Sequence, residues 1–103
     1  MFDFIKKLLG IKTTDFAALI EQGAVIIDVR TAAEFKSGNV KGSLNIPVQD
    51  ISNQLEKIKK MGKPIITCCA SGMRSGAAVG ILKNAGIESY NGGTWQKMSV
   101  FFN

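Results

Sequence analysis

The segment Lys63-Pro64-Ile65-Ile66-Thr67-Cys68-Cys69-Ala70-Ser71-Gly72-Met73-Arg74-Ser75 constrains the fold more than any other part of the chain. An apolar run ends in two cysteines. A short stretch with Ser71 and Gly72 follows, and a helical pattern of small residues starts at Ser75. That order reads as buried strand, tight loop and helix, the first half of a parallel crossover unit. It also sets a thiol where several backbone N–H groups converge at the start of a helix.

The same alternation of strand and helix patterns runs along the whole chain. Ile11-Lys12 has room for an edge strand. Thr13 or Thr14 can cap a helix carrying Phe16, Leu19 and Ile20, which Gly23 closes. Residues 24–29 form a run that is apolar but for Asp28, as a strand covered on both faces does. Thr31-Ala32-Ala33-Glu34 fits a capping box that opens a short helix ending near Gly38. Residues 43–46 read as a short strand stopped by Pro47. Asp50 can cap a helix whose Ile51, Leu55 and Ile58 share one face. Residues 64–68 form the second central strand. The helix at 75–85 buries Ala78, Ile81, Leu82 and Ala85, and Gly86 ends it. Residues 87–90 give a last strand, and Gly92-Gly93 turns the chain into a short helix with Trp95 and Met98. These patterns predict an α/β fold with a mainly parallel sheet. At 103 residues and 46% apolar content, 1–103 is expected to be a single domain.

Composition narrows the chemistry. A free cysteine has a pKa of roughly 8.5, and only its thiolate is a strong nucleophile. Histidine is absent, so Cys-His catalysis is excluded. A helix N-terminus, a nest of amides and a nearby cation remain as stabilising devices. Residues 69–75 can supply all three: Gly72 tolerates positive φ, and Arg74 carries a planar fork suited to oxyanions. Adjacent cysteines do not form a disulfide framework and point to opposite faces of a strand, so Cys68 reads as a small buried hydrophobe. Net charge is +5, which favours anionic substrates. Lys57, Lys59, Lys60 and Lys63 read as a solvated helix face. No basic-aromatic pattern points to nucleic acid.

Residues 1–10 are too short to span a bilayer and lack the form of a secretory signal, so no stable membrane insertion is expected. Packing of Phe4, Leu8 and Leu9 against the domain is the expected use of that stretch. The expected compartment is the cytoplasm, with a periplasmic mature form as the alternative.

Four motifs together resemble the rhodanese sulfurtransferases. Cys69-Ala70-Ser71-Gly72-Met73-Arg74-Ser75 is similar to the family's active loop, C-x-x-G-x-R followed by Ser or Ala. Ile27-Asp28-Val29-Arg30-Thr31-Ala32-Ala33-Glu34-Phe35 resembles its DVR-x-x-x-E-[FY] segment. Asn39-Val40-Lys41-Gly42-Ser43-Leu44-Asn45-Ile46-Pro47 resembles its H-I-x-G-A-x-N-I-P segment, with Asn39 in place of the histidine. Gly92-Gly93-Thr94-Trp95 resembles a shortened GG-x-x-x-W signature. Counted from Cys68, the spacing to Arg74 instead matches cysteine phosphatases, but Gly72 falls in register with Cys69.

The resemblance implies five strands in the order 1-5-4-2-3 with helices on both faces, and Cys69 as the catalytic nucleophile. Its thiolate would take a sulfane sulfur from an anionic donor such as thiosulfate and pass it from a persulfide to cyanide, a small thiol or a protein thiol. Ala70, Ser71, Gly72, Met73, Arg74 and Ser75 would bind the substrate anion, with no metal and no cofactor. A persulfide carrier for a protein partner is the alternative reading, and a phosphatase-like enzyme a third. Arg30 and Glu34 are expected to pair at the strand–helix corner, with Asp28 as a hydrogen-bonding turn residue. Arg74 is expected to bind the anion, with bracing of the loop as its alternative. Trp95 is expected in the core or a pocket wall. Asn39 is expected to hydrogen-bond a turn.

Overall fold

The computed structural model describes residues 13–102. The edge strand expected at Ile11-Lys12, and the packing expected of Phe4, Leu8 and Leu9, lie outside the described residues. Four strands are present among those described: β1 (Val25–Asp28), β2 (Leu44–Asn45), β3 (Ile65–Cys69) and β4 (Ser89–Thr94). All pairs are parallel, in the order β2-β1-β3-β4. This is the expected strand order with its first edge strand left out.

Among the described residues are five α-helices: α1 (Phe16–Glu21) before β1, α2 (Ala32–Ser37), α3 (Leu55–Lys60) and α4 (Met73–Asn84) between strands, and α5 (Trp95–Ser99) after β4. Side-chain alternation along β1 and β3 divides the core in two. Ile27, Val29, Ile65 and Cys69 face Ile51, Ile58, Ala78 and Leu82 on one side. Ile26, Ile66 and Cys68 face Leu19, Val40 and Met98 on the other. Each fully buried Ile or Leu contributes roughly 1.5–3 kcal/mol. Adjacent residues Cys68 and Cys69 therefore lie in different layers, as strand geometry requires. No helix among the described residues is long and apolar enough to cross a membrane.

Several boundaries differ from the sequence expectation, each for a local reason. Asp15, rather than Thr13 or Thr14, caps α1, its carboxylate accepting from the Ala18 N–H at 3.0 Å. The single helix expected after Asp50 is two pieces, a 3-10 turn (Val48–Asn53) and α3, meeting at Gln54. Ile51 and Ile58 are both buried nonetheless. Helix α4 starts two residues before Ser75, because Gly72 takes φ 94° and turns the chain into it at once. Strand β4 runs on through Gly92-Gly93 instead of turning there. Gly92 lies against β3 so closely that a Cβ would stand 2.8 Å from the Thr67 carbonyl oxygen, so only glycine fits.

The corner after β1 is held by a buried ion pair. The Arg30 guanidinium donates from Nε to Asp28 Oδ1 and Oδ2 at 2.9 and 3.0 Å, and from Nη2 to Oδ2 at 2.6 Å. It also donates to the carbonyls of Glu34 at 3.2 Å and Gly38 at 2.6 Å, and stacks 5.0 Å from the Trp95 ring. Asp28 is fully buried and Arg30 is 4% exposed. This corrects the expected pairing: Arg30 takes the carboxylate of Asp28 and only the main chain of Glu34. Asp28 stands nearer the guanidinium and is shut off from water, so its charge has first claim. Asn45 Nδ2 adds bonds to the carbonyls of Asp28 and Arg30 at 3.1 and 2.9 Å, fixing the end of β1.

Candidate active site

Cys69 ends β3, at the carboxyl edge where parallel α/β sheets collect ligands. The chain then bends through Ala70, Ser71 and Gly72 into α4, folding the loop back over the sulfur. Cys69 Sγ accepts from the Gly72 N–H at 2.9 Å and from the Ser75 N–H at 3.4 Å. The Ser75 hydroxyl lies 3.4 Å from the same sulfur. Burial of the sulfur opposes ionisation. The hydroxyl and N–H of Ser75, with the backbone of Ser71 and Gly72, outweigh that burial, and the thiol sits below its ordinary value. The loop thus does the work that a histidine does elsewhere.

Cys68 behaves oppositely. Its apolar layer, then the nearby Asp28 carboxylate, push its thiol up to about 12. It points away from the loop, so the spacing counted from Cys68 to Arg74 encloses no anion site.

Arg74 does not stand open. Its Nη1 and Nη2 donate to Glu34 Oε1 and Oε2 at 2.7 and 2.9 Å. Bracing, kept as an alternative role for Arg74, is what the structure displays, although the partner is a carboxylate rather than loop carbonyls. The bond ties the start of α4 to α2, where Glu34 also closes the capping box with Thr31. Glu34 is held at about 2, first by Arg74 and next by the Thr31 backbone. Its folded value lies below the ordinary 4.5. The stabilisation is therefore complete above pH 4.5 and fades as pH falls toward 2. Glu34→Gln is expected to flatten this part of the acid limb. Urea midpoints of the two proteins across that window check it, and parallel curves would refute it.

The other expected site residues surround the sulfur unequally. Ala70 and Ser71 are exposed, and Ser71 Oγ accepts from the Met73 N–H at 3.4 Å. Met73 is 81% exposed at the mouth of the loop. Ser75 is buried beneath it. Asn39 donates to the Phe35 carbonyl at 2.9 Å, finishing α2 as a turn-bonding residue would. Asp28 and Arg30 support the corner without reaching the sulfur.

Sequence reasoning missed Asn91. Its Oδ1 accepts from the Ser75 hydroxyl at 2.6 Å and from the Gly93 N–H at 2.9 Å. Its Nδ2 donates to the Gly72 carbonyl at 3.0 Å. A lone asparagine before two glycines reads as turn chemistry, and no local pattern reveals that it reaches the loop.

Residues 12–96 match the model of the Rhodanese-like domain, and the chain belongs to that family. The chain is 34% identical over 79 residues to the thiosulfate sulfurtransferase GlpE of Pseudomonas savastanoi pv. phaseolicola, covering 74% of each protein. It is 31% identical over 71 residues to the tRNA sulfurtransferase of Thermoplasma acidophilum, covering 69% of this chain but only 14% of that protein. A rhodanese from E. coli, solved with anions, superposes with a TM-score of 0.66 at 25% identity, over 73% of this chain and 91% of that one.

Proposed function

We propose that this chain is a single-domain sulfurtransferase working through a persulfide on Cys69, with thiosulfate or a similar anion as donor. The observation that carries the reading is the Gly72 N–H placed 2.9 Å from a sulfur that has no histidine to activate it. In the first half-reaction the Cys69 thiolate attacks the outer sulfur of thiosulfate. The donor's S–S bond breaks, and sulfite leaves with the electron pair. Cys69 then carries an anionic outer sulfur in the cradle of N–H groups from Gly72 to Ser75, which stabilise it as an oxyanion hole stabilises oxygen. In the second half-reaction cyanide or a thiolate attacks that outer sulfur, and Cys69 is released as thiolate. Balance requires no redox partner. The sulfurtransferase names of the relatives support this class of reaction, and the anions in the E. coli structure support an anionic donor.

Intact-mass measurement of protein treated with thiosulfate is expected to show a gain of about 32 Da, one sulfur atom, which peptide mapping assigns to Cys69. A gain on Cys68, or none, would sink the reading. The exposed Met73 at the mouth favours a protein thiol as acceptor in a second reading, in which the persulfide is handed to a partner. Steady-state turnover with thiosulfate and cyanide separates the two. A persulfide that forms but barely turns over supports the carrier role.

A further inference from the structure

We propose that Asn91 is a positioning residue that governs the proton of the Ser75 hydroxyl and, through it, the ionisation of Cys69. The proposal rests on the reading of Cys69 as the reacting sulfur.

The orientation of the Asn91 amide is fixed by two main-chain groups of opposite kind. The Gly93 N–H needs an oxygen, and Asn91 Oδ1 accepts from it at 2.9 Å. The Gly72 carbonyl needs a donor, and Asn91 Nδ2 supplies one at 3.0 Å. An aspartate would set an oxygen against the Gly72 carbonyl. Oδ1 also accepts the Ser75 hydroxyl at 2.6 Å. With its single proton directed there, Ser75 Oγ presents only lone pairs to Cys69 Sγ, 3.4 Å away. The chain S–H to O–H to O=C suits a thiol.

A thiolate or persulfide needs the opposite polarity. When the thiol proton leaves to water, the Ser75 hydroxyl turns its own proton from Asn91 Oδ1 to the sulfur. Oδ1 keeps the Gly93 N–H, so it is not left bare. Neutral asparagine thus holds the proton in the resting state and lets it go in the charged one. A carboxylate at that position would retain it.

Most other ionisable groups near the loop are committed elsewhere; Lys97 is the exception. Glu34 on α2 and Arg74 on α4 hold each other, and Asp28 holds Arg30 after β1. Cys68 lies in the opposite layer, and Glu88 accepts from the Tyr90 hydroxyl on β4. On α5, the Lys97 stem passes beside Gly93.

The test is the pH dependence of iodoacetamide labelling at Cys69, read by peptide mapping, in wild type, Asn91→Asp, Ser75→Ala and the double variant. Asn91→Asp is expected to move the labelling midpoint upward by about 1 to 2 pH units. In the Ser75→Ala background that displacement should fall to less than half. An unchanged midpoint, or the same displacement in both backgrounds, would overturn the relay, since a bare charge effect needs no Ser75. Should Asn91→Asp fail to fold, the wild type decides. The side-chain amide resonances of Asn91 should titrate with the Cys69 midpoint, while those of Asn39 stay still. Unmoved Asn91 resonances overturn the proposal. A wild-type Cys69 that takes no label at any pH sinks the assignment of the reacting sulfur and the relay together. Normal labelling with additive displacements sinks the relay alone.

Discussion

Cys69→Ser is expected to lower kcat/KM for thiosulfate–cyanide transfer by about a thousandfold or more, while Cys68→Ser stays within a few-fold of wild type. A serine hydroxyl at position 69 would receive the same N–H bonds from Gly72 and Ser75. Without histidine, nothing nearby takes its proton, and oxygen does not form a persulfide. At position 68 the exchange concerns packing. Cys68 sits among Leu19, Ile26, Val40, Ile66 and Met98. Serine loses the sulfur's packing in that layer, and a hydroxyl left unsatisfied there costs about 1–3 kcal/mol. Cys68→Ser should therefore lower the urea midpoint and spare the rate. Loss of turnover in a folded Cys68→Ser protein would reverse the assignment of the nucleophile.

Arg30→Met is expected to remove about 3–5 kcal/mol of stability, a large part of what a domain of this size possesses. The substitution leaves the Asp28 carboxylate fully buried with its cation gone. It also strips donors from the carbonyls of Glu34 and Gly38 and removes the cation beside Trp95. Urea denaturation followed by Trp95 fluorescence measures the loss. Replacing both charges at once, Asp28→Leu with Arg30→Met, should recover part of it, because no uncompensated charge then remains. A single-variant loss under about 1 kcal/mol would show that water reaches the pair.

The central strands, the helices between them and the loop at Cys69 were legible in the sequence because each rests on contiguous residues. Largely apolar runs at 24–29 and 64–68 have one good use in a small α/β chain, and the alternation of Cys68 and Cys69 follows from strand geometry alone. What escaped was long-range partnership. Arg30 and Glu34 lie four residues apart and suggest a local pair. The carboxylate of Glu34 instead meets Arg74, forty positions along the chain. The reach of Asn91 into the loop is hidden for the same reason. Gly92-Gly93 misled differently. Two glycines suggest a bend, yet here the missing side chain lets one strand press against another. Capping at Asp15 rather than Thr13 or Thr14 turned on a choice among three neighbouring oxygen-bearing side chains, which local sequence alone does not rank.

The two thiols of this chain, joined through consecutive residues yet housed in separate layers, cannot rescue one another. If peroxide converts Cys69 to a sulfenic acid, no resolving thiol is available inside the fold to condense with it. Repair then depends on a thiol arriving from outside, through the same mouth by which sulfur leaves. Recovery from oxidative injury should accordingly track the supply of small reductants around the protein.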